Sequence, residues 1–217
     1  MYDFRPNLVI GFHGCDESVK SELINSSGKI RKSINPYDWL GHGMYFWENN
    51  FERALQFAGE KESRGEIHKP AVVGAVLQLG YCCDFLDTKF IELLRKYYLS
   101  MAKDFEATGL PLPVNRNLRH DLHNNHLLRY LDCAIIEFMH KSIFSTYIQE
   151  TAAKGFSNIK IFESVRGVFT EGGPVFDGAG IFEKSHIQIC IRNPDCIKGF
   201  FNPRESSNLE DWADRGI

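Results

Sequence analysis

Apolar positions in this chain change their spacing along its length, and the changes mark out elements. The first run, NLVIGFHG, is continuous and short, and it predicts a buried strand ending at Gly14. DESVKSELIN follows, with Asp16 or Ser18 as N-cap and Val19, Leu23 and Ile24 at helical spacing. SSGKIRKSINPYD has the Ser, Gly, Asn and Pro content of a loop. GMYFWE reads as a strand in which Met44 and Phe46 face one way and Tyr45 the other. In NFERALQFAGEKES, Phe51, Ala54, Leu55 and Ala58 stand at i, i+3, i+4 and i+7, the stripe of an amphipathic helix. PAVVGAVLQLGYCCDFLD reads as one long buried strand.

The middle third changes character. TKFIELLRKYYLSMAKDFEATG predicts a helix stopped by Gly109, Pro111 and Pro113, and LLRYLDCAIIEFMHKSIF predicts a second helical stretch in one piece or more. Strand patterns return in VRGVFTEG, SHIQICIRN and CIKGFF, with the glycine-rich GPVFDGAGIFEK between the first two and a polar tail, NPRESSNLEDWADRGI, at the end. Strands at both ends and helices over about residues 87–155 point to a single α+β domain over 1–217 with mainly antiparallel strands. No G-x-G-x-x-G, P-loop or G-x-S-x-G string is present.

Composition narrows the classes. Of 217 residues, 43% are hydrophobic and 24% charged, ordinary for a chain with a real core, and the formal net charge of -3 argues against bulk electrostatic binding of nucleic acid. The 13% aromatic content, with 17 Phe, leaves room for a site that stacks flat rings. The six cysteines lack zinc or C-x-x-C spacing and read as reduced thiols of a cytoplasmic protein. MYDFRPN has no secretory pattern, and no apolar run spans a membrane, so no membrane partner is expected. HDLHNNH places His120, His123 and His126 at i, i+3 and i+6, which lacks the H-E-x-x-H pattern, and no metal is expected. With Arg116, Arg119 and Arg129 nearby, this stretch is the best local candidate for phosphate contact.

Two strings carry chemistry together. FHG ends the first strand, and GHGMYFWEN is followed by the ERALQFA helix and an apolar strand. In this combination the chain resembles the ADP-ribosyltransferase superfamily, in its poly(ADP-ribose) polymerase and diphtheria-toxin branch. The resemblance covers about residues 8–83 and 160–201. It implies two small antiparallel sheets forming an NAD cleft, with the helical middle as an insertion. It further implies that His13 binds ribose hydroxyls, that the Gly14 backbone holds the nicotinamide carboxamide, and that Tyr45 stacks on the nicotinamide. Phe57 or Phe51 would cover the opposite face, because the second tyrosine of the family pattern falls on Gln56 or a neighbour.

The third family motif is a glutamate on a late strand, and Gln188 stands there in HIQICIRN. A glutamine can orient a ribose hydroxyl but brings no charge to an oxocarbenium-like transition state. His186 shares the strand face with it, and Glu183 is the nearest acid and a catalytic candidate beside Tyr45 and Gln188; Glu171 and Asp177 are candidate bases toward an acceptor. The resemblance implies a mono-ADP-ribosyltransferase with NAD as co-substrate, of the compact toxin or defence-effector kind. Its acceptor would be a macromolecule, RNA ahead of protein, and its partner an antitoxin or immunity protein. The alternatives are an inactive NAD- or ADP-ribose-binding module, which Gln188 favours, and an NAD glycohydrolase.

Overall fold

The computed structural model describes residues 8–26, 31–119 and 121–204. MYDFRPN, part of the loop before Arg31, His120 and most of the polar tail lie outside the described residues. The elements are β1 (Val9–Asp16), α1 (Glu17–Asn25), β2 (Met44–Glu48), α2 (Phe51–Ser63), β3 (Pro70–Leu77), β4 (Cys82–Asp84), α3 (Thr88–Thr108), α4 (Tyr130–Lys154), β5 (Ser164–Phe169), β6 (His186–Ile191) and β7 (Ile197–Phe201). The fold is α+β, with strands at both ends of the chain and the long helices between.

Local chemistry sets the boundaries. Asp16 caps α1 by accepting from the Ser18 N–H, Asn50 caps α2 from Arg53, and Gly109 and Gly155 close α3 and α4 in the left-handed conformation. The apolar run after Pro70 is two strands rather than one. Gly80 turns the chain at φ +60 between them, with the Glu163 side chain against it and accepting from the Tyr81 N–H. A turn signalled by one glycine inside a continuous apolar run leaves no trace in periodicity. The second helical stretch is a single helix, buried through Cys133, Ile135, Ile136, Met139 and His140. No described helix is long and apolar enough to cross a membrane.

Where two separate antiparallel sheets are expected, there is one mixed seven-stranded sheet, ordered β4-β5-β6-β2-β1-β3-β7, and β4 runs parallel to β5. Its two halves join weakly. β1 pairs with β3 all along its length, from Val9↔Leu77 to Asp16↔Pro70, but with β2 only at Gly11↔Glu48 and Phe12↔Trp47. Beyond those pairs, β2 continues with β6 from Trp47↔Gln188 to Met44↔Ile191, and β1 and β2 diverge. The His13 side chain bridges the divergence: its Nδ1–H donates to the Tyr45 carbonyl at 2.8 Å.

The alternation expected in GMYFWE is present. Met44 and Phe46 join Ala75, Leu77, Ile189 and Ile191 in the core on one face. On the opposite face, Tyr45 packs toward Leu40, Val165, Cys190 and Met139, beneath α3 and α4, while Trp47 packs with Ala54 and Val72 beneath α2. Gly14 marks how closely α2 sits on β1. A Cβ there would lie 2.1 Å from the Ala54 carbonyl oxygen, with helix backbone on every near side. Gly14→Ala is expected to destabilise the fold by about 3 kcal/mol, the upper part of the range for overpacking, with urea denaturation as the measurement. All six cysteines are free and buried, and burial pushes the Cys15, Cys133 and Cys196 thiols up to about 11.

Candidate functional site

On the face shared by Tyr45 and Trp47, α2 covers one half of the sheet and α3 with α4 the other. Between them lies a cleft of about 1030 Å³. The α3–α4 connection and the β5–β6 hairpin also line it, through Leu122 and His123 from the first and Glu171 and Glu183 from the second. Of the residues expected from sequence, His13, Tyr45, Phe57, Glu183 and Gln188 all reach this one cleft, although they come from separate elements spread over most of the chain. Gly14 is not in its lining but under α2; Phe51 packs edge-on against Phe12 at 5.7 Å instead; Asp177 is exposed outside it.

Each residue is held in a particular way. The Tyr45 hydroxyl donates to the Gly41 carbonyl at 2.7 Å and accepts from the Leu40 N–H at 3.0 Å, so the ring is fixed against the preceding turn. Burial raises its pKa well above 10, and it stays neutral. Burial also lowers the His13 pKa against the opposing effect of its bond to Tyr45. With Nδ1–H committed to a carbonyl, neutral His13 keeps a lone pair on Nε2.

Gln188 is locked by a residue that the sequence did not single out. The Trp39 indole N–H donates to its Oε1 at 2.5 Å, and an indole can only donate, so the amide NH₂ is the end left free. The indole reaches this position across Gly167, where a Cβ would lie 2.8 Å from it. Gly167 stands opposite Gln188 in the β5–β6 ladder.

Trp39 begins a row of rings along the wall. Trp39 and Phe169 are 4.9 Å apart, Phe169 and His186 5.6 Å, His186 and Trp47 6.2 Å, and Trp47 and Phe57 4.9 Å. Strand alternation explains it: Phe169, His186, Gln188 and Trp47 are in register on one face of β5, β6 and β2. Phe57 thus serves as the end of this row.

Beside the row, four charges interlock. Arg53, only 5% exposed, donates to Glu171 at 2.9 Å and to Glu60 at 3.4 Å; Lys184 lies 3.0 Å from Glu60 and 3.3 Å from Glu171. Burial alone would raise the Glu171 carboxyl, but the Arg53 guanidinium and then the Lys184 ammonium hold it below its usual range. Glu183 is used within the hairpin, accepting from the Gly173 N–H at 3.4 Å. Neither Arg53 nor Lys184 was singled out from the sequence.

The basic, histidine-rich stretch forms the α3–α4 connection. Arg116 stacks on Tyr130, Arg129 lies over Phe169 and pairs with Asp132, and His123 fills the space at Gly173. Two of the three arginines thus have intramolecular partners, and Arg119 is exposed. Among the described residues no His, Cys, Asp and Glu cluster could hold a metal ion. No family model, curated protein or solved structure matches the chain.

Proposed function

We propose that this protein is an NAD-dependent mono-ADP-ribosyltransferase. The observation that carries the reading is the convergence of His13, Tyr45 and Gln188 on one cleft where β1 and β2 diverge. Nicotinamide would lie on the fixed Tyr45 ring. His13 Nε2 would accept from a ribose hydroxyl, and the Gln188 NH₂ would donate to an oxygen near the reacting carbon. The bond from C1′ to the nicotinamide nitrogen would break dissociatively, with its electron pair leaving on nicotinamide. The acceptor is a macromolecule, RNA before protein, and the effector role and an immunity partner rest on the family resemblance alone.

The second reading is a module that binds NAD without turnover. It is favoured by the Trp39–Gln188 bond, which leaves a neutral donor where the resemblance expects an anion. Incubating the purified protein with a cell extract and NAD labelled on the adenylate phosphate separates the two. Label on a macromolecule, lost in a His13→Ala variant, is the expected outcome; nuclease or protease sensitivity then identifies the acceptor. Nicotinamide released without label would make the protein a glycohydrolase, and bound, intact NAD would make it the module.

A further inference from the structure

A nucleophile that attacks the anomeric carbon must lose a proton unless it is a carboxylate. The groups around the cleft differ sharply in their ability to take that proton. Both Glu171 oxygens are occupied, one by Arg53 and one by Lys184. Glu183 is exposed, with its Oε2 accepting from the Gly173 N–H of the hairpin, and Asp177 lies outside the lining. Two buried acceptor atoms of the lining have no partner among the described residues: His186 Nε2 and Asp121 Oδ2.

His186 is the better placed. It stands two residues before Gln188 on the same face of β6, about 7 Å away along the strand. Its ring is held between Phe169 and Trp47. Its Nδ1 sits 2.6 Å from the Lys184 carbonyl, which can only accept, so the ring proton is on Nδ1 and the lone pair on Nε2. Burial, assisted by the Arg53 charge, lowers its pKa to about 4 despite that backbone bond, giving it the basicity of an ordinary carboxylate without the charge. Beside it, Trp47 Nε1 and Arg53 Nε are buried N–H donors that also lack partners. An unsatisfied buried polar group is costly, so a bound group that gives a proton to Nε2 and accepts from one of these N–H groups is favoured there. Such a group carries both an acceptor and a proton to give. The cations Arg53 and Lys184 flank the spot and disfavour a guanidinium or ammonium acceptor, while a carboxylate has no proton to lose. Asp121 belongs to the α3–α4 connection, off this strand face, and its Oδ1 already takes the His123 and Asn125 N–H groups.

We propose that His186 Nε2 is the proton acceptor for a neutral nucleophile bearing an O–H or N–H, a role that rests on the NAD reading of the cleft. As the C1′–nicotinamide bond breaks, the nucleophile's oxygen or nitrogen bonds to C1′. Its proton passes to Nε2 and then to solvent, and nicotinamide leaves with the electron pair.

Methanol, agmatine and acetate serve as probe nucleophiles with NAD, adducts being counted by mass spectrometry and NAD binding measured by equilibrium dialysis. The wild type is expected to form the methyl adduct in preference to either charged probe. His186→Asn can keep the bond to Lys184 but lacks Nε2; it should lose about 100-fold in methyl adduct with NAD affinity unchanged, the low end for removing a general base. His186→Gln restores an acceptor near that position and should recover at least a tenth of the wild-type rate. A wild-type rate in His186→Asn, a loss that appears in Asp121→Asn instead, or a preference for agmatine overturns the proposal. NAD bound by the wild type but never cleaved overturns it as well and leaves the NAD reading standing, whereas no NAD binding removes that reading itself.

Discussion

Gln188→Glu is expected to increase NAD cleavage about 100-fold, read as nicotinamide released per unit time. The exchange is close to isosteric, and the partner at this position accommodates both side chains. Trp39 donates an N–H to Gln188 Oε1, and it can donate equally to a carboxylate oxygen. What changes is the other end of the group. The amide NH₂ becomes a second carboxylate oxygen, and the cleft wall gains a negative charge where the proposed reaction develops positive charge at C1′. A preorganised electrostatic contact in a site shielded from water contributes about 3 kcal/mol, which is 10²–10³ in rate. Gln188 is only 9% exposed, so the introduced carboxylate will hold its proton above the normal carboxylate range, and the gain should grow as pH rises through its pKa. Trp39→Phe removes the positioning N–H and should shrink the gain in the double variant. An unchanged rate would mean that this strand position does not face the reacting carbon, and the search for the catalytic charge would move to Glu183.

The same unit shows what the sequence could and could not convey. The facing of Tyr45 was legible because strand alternation fixes which way a side chain points once the strand is recognised, whereas Gln188 was singled out by the family resemblance, which expects a glutamate at that place on the late strand. His13 was legible from its place between glycines at a strand end. Trp39 was not. It lies in a turn with no periodicity, and its place against Gln188 depends on the absence of a side chain at Gly167, far along the chain. Arg53 was hidden differently: in a helix with an apolar stripe, an arginine reads as solvated surface, and only the return of the β5–β6 hairpin brings Glu171 over it. The single sheet was also beyond reach, because two residue pairs between β1 and β2 decide whether seven strands make one sheet or two.

That hairpin contact should be the site of the largest stability effect away from the core. Glu171→Gln is expected to destabilise the fold by about 3 kcal/mol, measured by urea denaturation at neutral pH. The loss of one partner leaves Arg53 charged and buried, and breaking a buried pair costs about 3–5 kcal/mol; Glu60, which shares the guanidinium at 3.4 Å, keeps the effect at the low end. The pH dependence follows from the direction of the shift. The Glu171 carboxyl is held below its unfolded value of 4.5, so its contribution is present above about that pH and is lost as pH falls through the lower folded value. The wild type should therefore lose this contribution on acidification, and Glu171→Gln should show a shallower decline over the same range. Replacing both partners, Arg53→Met with Glu171→Leu, separates charge from packing. With no stranded charge the double variant should approach wild-type stability. It should nonetheless handle NAD poorly, because Arg53 flanks Trp47 and His186, and Glu171 and Lys184 hold the hairpin over the cleft. Normal turnover in a stable double variant would assign the four-charge network to folding alone.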